Sequence, residues 1–246
     1  MLTPRVFVGT QAPPSPGADF ALGDAAARHV AQALRMRVGD RLAIFTGEGG
    51  EFTAAIARID RADVVVRVER HDAVEREAPM SVVLVQAVIA SDMMDFVVRK
   101  AVELGVAAIV PVQCARSQGV PQARVARRVQ HWRQIAIAAC EQCGRNRVPD
   151  VADVLPFAQW LAGVDSEAQR IALLQAGTAS SLAQVARGGH LHAVAVGPEG
   201  GFAPEEAAAA AERGLVFAHL GARVLRAETA AIAALATVNA IAGDAA

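Results

Sequence analysis

The stretch VAVGPEGGF at residues 194–202 decides how this chain is organised. It begins in a short apolar run typical of a buried strand, and the run stops at three glycines and a proline within five positions. Glycine lets the backbone adopt positive φ and lets a ligand approach bare amides, and Pro198 holds φ without needing a donor. Pro204 and two glutamates then open an alanine-rich helix. We therefore predict a strand, a ligand-binding loop and a helix in succession.

The stretch LGARVLRAET at residues 220–229 repeats this arrangement and adds charge. Residues 215–220 have the pattern of a buried strand, Gly221 interrupts it, and Arg226, Glu228 and Thr229 stand at the start of an apolar helix. Each loop alone is compatible with a tight strand-to-helix connection in any α/β protein. The two together favour a ligand site.

The patterns on either side of residues 73–78 differ. Residues 1–72 contain five or six short strand patterns, including a hairpin of 41–45 with 52–59, and one helix for which Asp24 is the predicted N-cap. We predict a compact β-barrel there, a charged linker at 73–78, and an α/β domain at 79–246 with a parallel sheet covered on both faces. The strands predicted in this domain are 81–88, 108–112, 170–174, 192–196 and 216–220, and the helices are 95–104, 124–143, 157–161, 182–186, 204–213 and 229–242.

Composition narrows the class of protein. The 246 residues carry a net charge of −1, and no charged-then-apolar leader precedes Arg5, so we expect a cytoplasmic protein without a membrane span. Three cysteines argue against a disulfide framework, and the C-x-x-C pair at 140–143 lacks the second pair that a zinc site needs, so we expect no metal. The usual dinucleotide, nucleoside-triphosphate and nucleophile-elbow motifs are absent from the sequence.

Arginine is concentrated in two segments of this nearly neutral chain. Residues 113–149 contain seven arginines against one acid, Glu141, and residues 28–41 contain a second, smaller cluster. Solvated helix faces would also have this composition. Guanidinium groups hold phosphate oxygens through a planar donor fork, so both segments are candidate RNA contacts.

Five separated motifs, in order along the chain, resemble the RsmE family of the SPOUT class of RNA methyltransferases. They are HVxxxLRxxxGD at 29–40, FVVRKAVELGV at 96–106 with IVPV at 109–112, IAxxAxEQxGRxxVP at 135–149, GPEGGF at 197–202 and LGxRVLRxETA at 220–230. That family methylates N3 of a uridine in 16S ribosomal RNA. The resemblance implies an N-terminal PUA-like β-barrel that binds RNA, a C-terminal SPOUT α/β domain with a deep trefoil knot, S-adenosylmethionine as cofactor, and a homodimer that completes each site.

The resemblance also implies roles for particular residues. The cofactor would lie against Leu174, Gly197, Pro198, Gly200, Gly201, Leu220, Gly221, Val224, Leu225 and Thr229. Candidate RNA contacts are Arg28, His29, Arg35, Arg37, Arg116, Arg124, Arg128, Asn146 and Arg147. Uracil N3 is a poor nucleophile until its proton leaves, so a base and a cation would help: Glu199 or Glu228 as the base, and Arg226 or Arg145 as the cation. Glu228 is equally suited to the N-terminus of the last helix.

The chain departs from the family pattern at two places. The segment before the first helix of the α/β domain, usually basic, is Ala90-Ser91-Asp92-Met93-Met94-Asp95, and Gln175-Ala176-Gly177 stands where the family tends to present a carboxylate. Two other hypotheses therefore stay open. One is an RNA-binding protein of the same fold without catalysis, and the other is a metabolic α/β enzyme that binds a small phosphorylated ligand at 197–202.

Overall fold

In the computed structural model, which describes residues 3–9, 14–60, 63–119, 122–165, 167–188 and 190–243, the chain divides into two units. The first comprises Met1–Glu77 together with Ile137–Val148, and the second comprises Ala78–Ala136 and Pro149–Ala246. The first unit is therefore not contiguous in sequence. Residues 137–148, which the sequence analysis placed in the α/β domain, contribute their contacts to the N-terminal unit.

The first unit is built on a five-stranded sheet. Its strands are β1 (Arg5–Phe7), β2 (Asp19–Ala21), β3 (Arg41–Phe45), β4 (Glu51–Asp60) and β5 (Asp63–Asp72), in the order β1-β3-β4-β5-β2. Strands β1 and β3 are parallel, and the other pairs are antiparallel. The expected hairpin is β3 with β4, and Gly47, Gly49 and Gly50 in its turn all have positive φ.

The helix of this unit differs from its prediction. Helix α1 (Asp24–Arg28) begins at Asp24, its N-cap is Gly23, and no side chain caps it, so the prediction of Asp24 as the N-cap was wrong. The carboxylate lies in the first turn, where it still faces the positive end of the helix dipole. The chain continues in a π-helical turn, His29–Ala33.

Residues 137–148 are held by polar contacts within the first unit. Glu141 Oε1 accepts a hydrogen bond from the Phe7 amide (3.0 Å), and Asn146 accepts one from Arg5 Nη2 (2.5 Å).

Burial alone would raise the pKa of Glu51, but hydrogen bonds from Arg5 and Arg76 outweigh it and lower that pKa. Glu51 is therefore a charged partner of two arginines at the edge of this core.

The second unit alternates strands and helices around a parallel sheet. Its strands are β6 (Val83–Ala87), β7 (Ala108–Gln113), β8 (Asp150–Val151), β9 (Leu155–Pro156), β10 (Ile171–Leu174), β11 (Ala193–Val196) and β12 (Val216–Ala218). Its helices are α2 (Ser91–Glu103), the larger part of α3 (Gln122–Cys143), α4 (Phe157–Ala162), α5 (Leu182–Arg187), α6 (Pro204–Glu212) and α7 (Ala227–Ala242). The five predicted strands are all present, whereas β8 and β9 were missed because two residues carry no periodic signal.

The sheet has the order β12-β10-β11-β6-β7-β8, with β9 also paired to β7, and every pairing is parallel. All four residues of β11 are buried, as expected for a strand covered on both faces. Because β12, β10 and β11 are neighbours and parallel, the loops that follow them leave the same edge of the sheet. Ligands bind at such edges in open α/β sheets.

Candidate functional site

The loops after β10, β11 and β12 enclose a cavity of about 360 Å³, a size typical of small-molecule sites. Its walls are mostly apolar side chains and glycine backbone, and its charged lining residues are Glu199 and Arg223. The cavity is lined by Leu174, Gln175, Ala176, Val196, Gly197, Pro198, Glu199, Gly200, Gly201, Phe202, Ala218, His219, Leu220, Gly221, Arg223, Val224, Leu225, Ala227 and Ala230.

At two positions of the loop 197–202 the local geometry disfavours any side chain larger than that of glycine. A Cβ on Gly197 would lie 3.1 Å from the Phe202 ring and 3.3 Å from the Phe202 amide, so the loop closes tightly on this residue. Gly201 has φ +70°, which L side chains rarely adopt, and its amide donates to the Pro198 carbonyl oxygen (2.8 Å). The loop is a tight turn whose three glycines present backbone to the cavity.

Glu199 is the one candidate base that lines the cavity. Its Oε1 accepts hydrogen bonds from the Ala90 amide (3.2 Å) and from Gln118 Nε2 (3.4 Å). These contacts hold the carboxylate at the rim.

The loop after β12 forms the opposite wall. His219 Nδ1 accepts a hydrogen bond from the Gly221 amide (3.0 Å), and Gly221 has φ +109°. Val224 is 84% exposed although it lines the cavity. Arg223 and His219 also line it, and the sequence analysis did not select them as site residues. Arg223 lies within the motif at 220–230, and His219 directly follows β12. These two positions were the sequence signals for their place in the site.

Nine of the ten residues predicted to contact the cofactor line this one cavity. The tenth, Thr229, lies in the first turn of α7 outside the lining, as does Glu228, and Arg226 is the N-cap residue of that helix. Gln175 and Ala176, where the sequence departs from the expected family pattern, also lie in the cavity wall.

Arg145 and Asn146 have structural roles that the sequence analysis did not foresee. The Arg145 side chain is only 5% exposed and forms an ion pair with Glu77, and the buried Asn146 donates to the Val74 carbonyl oxygen (2.8 Å). These contacts occupy both side chains within the first unit, and their assignment as a catalytic cation and an RNA contact stays a prediction. Arg147 is 54% exposed and paired with Glu75 at 3.3 Å.

The other RNA candidates are distributed over both units. In the first, Arg28, Arg35 and Arg37 are exposed and His29 is half-buried, and Arg35 is the one non-glycine residue with positive φ (53°) in the described part of the chain. In the second, Arg124 is exposed, Arg128 bonds to Ser91 Oγ, and Arg116 Nη1 donates to the Gly200 carbonyl oxygen (2.8 Å). Arg116 is therefore in contact with the loop 197–202.

The cysteines and other potential ligands do not gather into a metal site. Burial raises the pKa of both Cys114 and Cys140 to about 12, which keeps these thiols protonated and unreactive. The described residues contain no group of three His, Cys, Asp or Glu side chains arranged to hold a metal ion. Within those residues, no helix is long and apolar enough to cross a membrane.

Comparison with known proteins assigns both units. Residues 76–239 match the family model of the RNA methyltransferase domain, and residues 22–69 match that of the RNA methyltransferase PUA domain. A parallel α/β sheet with a glycine-walled cavity, preceded by a PUA domain, thus defines an RNA methyltransferase.

Individual relatives narrow this class. Ribosomal RNA small subunit methyltransferase E of Mycobacterium bovis is 32% identical over 86% of this chain and 82% of its own, and that of Bacillus subtilis is 27% identical over 89% of each chain. The crystal structure of ribosomal RNA small subunit methyltransferase E from Neisseria gonorrhoeae, bound to S-adenosyl methionine, has a TM-score of 0.89 and 33% identity, covering 97% of this chain and 98% of that one. The chain belongs to the family of ribosomal RNA small subunit methyltransferase E.

Proposed function

We propose that this protein transfers a methyl group from S-adenosylmethionine to N3 of a uridine in the 16S RNA of the small ribosomal subunit. The observation that carries the proposal is the single cavity that contains nine of the ten residues selected for cofactor binding. The family supports the reaction, because its relatives are named as methyltransferases of small-subunit ribosomal RNA and one was solved with this cofactor. The uridine N3 specificity is inferred from the five sequence motifs.

The cavity walls fit this cofactor. Leu174, Leu220 and Leu225 offer apolar surface for an adenine ring, and the glycine-rich turn offers backbone groups at close range. The Gln175 side chain stands where a carboxylate is usual and supplies an amide instead. The cofactor carries an already activated methyl group on a sulfonium, so the protein's main work is to align the uracil nitrogen and exclude water.

We assign the proton transfer to Glu199. It is the candidate carboxylate in the cavity wall, and the hydrogen bonds to its Oε1 leave Oε2 to take the N3 proton. Arg226, at the N-cap of α7, and Arg223, in the wall, are the cations suited to stabilise negative charge on the uracil carbonyl oxygens. Glu228 in the first turn of α7 is suited to the dipole of that helix.

RNA binding is proposed for the arginines of the two arginine-rich segments, 28–41 and 113–149. In the N-terminal unit these are the exposed Arg28, Arg35 and Arg37, with His29 beside them, and in the second they include the exposed Arg124 and the half-buried Arg128. Since N3 lies on the Watson–Crick edge, the target base must be unpaired or flipped out of its stack to react. The substrate is then folded ribosomal RNA or an assembled particle in the cytoplasm.

We also propose three features that the family resemblance implies: closure of the five-stranded sheet into a PUA-like barrel, a trefoil knot in the second unit, and a homodimer. The exposed Val224 beside the cavity supports the dimer, because an apolar side chain at the rim of a site is suited to be covered by a second copy. The domain limits 1–72 and 79–246 remain a prediction. Light scattering after size exclusion would test the dimer directly.

Neither alternative function gains support from a specific observation. An inactive RNA-binding protein does not require a formed cofactor cavity, and a metabolic enzyme does not require a PUA domain. The test of the proposal is titration with S-adenosylmethionine by calorimetry, followed by transfer of labelled methyl to small ribosomal subunits. Saturable binding with transfer is expected. The absence of both would reject the proposal.

A further inference from the structure

The loop that follows β7 touches the glycine-rich loop 197–202 through Arg116. Arg116 Nη1 donates to the Gly200 carbonyl oxygen (2.8 Å), and its aliphatic carbons lie against the same glycine. A Cβ built on Gly200 would be 3.4 Å from both Cβ and Cδ of Arg116, at the edge of ordinary van der Waals contact. The arginine thus covers the face of Gly200 and holds its carbonyl group.

The segment that carries Arg116 is itself fixed. Cys114 is buried, its amide donates to Ser117 Oγ (3.1 Å), and the Ser117 amide donates back to the Cys114 carbonyl oxygen (3.1 Å). Such a reciprocal turn orders four residues and presents the side chain of Arg116 in a defined direction.

Glu206 connects the same two segments a second time. One carboxylate oxygen accepts from the Ala203 amide (2.9 Å) at the start of α6, and the other accepts from the Ala115 amide (2.8 Å) next to Arg116. Glu199 adds a third connection, since its Oε1 accepts from Gln118 at 3.4 Å. The loop 197–202 is therefore held along its length, from Glu199 to the helix that follows it, by contacts from Arg116, Glu199 and Glu206.

We propose that Arg116 is a positioning residue for the loop 197–202, which we call the cofactor loop because the proposed function places S-adenosylmethionine against it. By holding the Gly200 carbonyl group, Arg116 sets the turn of Gly200 and Gly201, whose backbone faces the cavity. Arg116 does not line the cavity and so acts through Gly200. This inference rests on the proposed function, since it requires that the loop binds S-adenosylmethionine. It reassigns an arginine that sequence alone suggested as an RNA contact.

The test compares three variants of the full-length protein. Arg116→Met keeps the aliphatic chain and removes the hydrogen bond, whereas Arg116→Lys restores a donor. Arg127→Ala is the matched control for cofactor affinity and for amide exchange, because Arg127 is an exposed arginine of α3 with no ion pair among the described residues. S-adenosylmethionine affinity is measured by calorimetry and 16S RNA affinity by filter binding.

We expect Arg116→Met to weaken cofactor binding about tenfold, the size of one hydrogen bond to a charged donor, and to leave RNA affinity unchanged. Arg116→Lys is expected to recover part of the loss. Amide exchange of residues 197–203 is expected to quicken in Arg116→Met and to stay unchanged in Arg127→Ala. The exchange measurement also separates a local effect from general loss of folding.

Two results would overturn the inference. Loss of RNA affinity with normal cofactor affinity would show that Arg116 contacts RNA phosphates. Unchanged amide exchange of residues 197–203 in Arg116→Met would show that Arg116 does not position the loop. If the unmodified protein itself bound no S-adenosylmethionine, the proposed function would fail first, and that outcome is visible before any variant is compared.

Discussion

At the residue scale, the cofactor loop depends on glycine for two different physical reasons. At Gly197 a side chain is disfavoured by space, because Phe202 packs against this residue, whereas Gly201 stands in open space and a side chain there is disfavoured by its φ of +70°. The two positions therefore respond differently to substitution. A side chain at Gly201 strains the backbone without a clash, so its effect is expected on the conformation of the loop.

Gly201→Val is expected to weaken S-adenosylmethionine binding by about tenfold or more while the protein remains folded, because a β-branched residue cannot keep φ +70° without strain. Gly39→Val is the matched control: Gly39 has φ +92° and no atom within 4 Å of a built Cβ, but it lies in the first unit. Calorimetry measures the affinity. Equal cofactor affinity in the two variants would show that the loop 197–202 does not bind the cofactor.

Glu199→Gln is expected to lower turnover about 100-fold or more near neutral pH and to change cofactor affinity little, since the amide still accepts from Ala90 but takes no proton. The control is Glu205→Gln, an exposed acid in the first turn of α6. Single-turnover methyl transfer is the measurement. Near-normal turnover in Glu199→Gln would show that the carboxylate only positions the loop.

At the scale of elements, helix α3 belongs to two units. Its residues up to Ala136 belong to the α/β unit, and the segment from Ile137 to Val148 belongs to the N-terminal one. An interaction such as Arg145 with Glu77 joins residues 68 positions apart, and no local pattern encodes it. An arginine is exposed by default, so its burial here could not be predicted from sequence.

Arg145→Ala is expected to lower the free energy of unfolding by about 3 kcal/mol, because it leaves a half-buried carboxylate without its partner and opens a space in the first unit. Arg147→Ala, which removes an exposed pair, is expected to cost about 0.5 kcal/mol. Urea denaturation measures both. Comparable costs for the two variants would contradict the structural role of Arg145, and a loss of turnover without a loss of stability would restore its catalytic assignment.

At the scale of the whole molecule, the sequence predicted most of what is local. The five strands predicted for the parallel sheet and the hairpin of the first unit were found because each lies in an apolar or alternating run bounded by turn residues. The cavity was found because the two glycine-rich loops follow neighbouring parallel strands. Strands of two residues, and the contribution of 137–148 to the other unit, depend on contacts between distant parts of the chain.

RNA affinity is also a property of the whole molecule, because the exposed arginines lie in both units. Arg35→Ala and Arg124→Ala each remove one proposed phosphate contact, the first in the N-terminal unit and the second in the α/β unit. Each substitution is expected to reduce the slope of the logarithm of the RNA association constant against the logarithm of the salt concentration by about 0.7–0.9. Arg187→Ala, an exposed arginine at the end of α5, serves as the control. An unchanged slope in the first two variants would exclude those residues from the RNA interface.

The reaction itself is tested most directly by identifying its product. Small ribosomal subunits from cells that lack this gene are incubated with the protein and S-adenosylmethionine, and the nucleosides of their 16S RNA are separated by liquid chromatography and identified by mass spectrometry. The account predicts 3-methyluridine, formed only when both the protein and the cofactor are present. A methyl group on ribose or on another base would contradict the assignment to uridine N3, and no methylated nucleoside at all would contradict the proposed function.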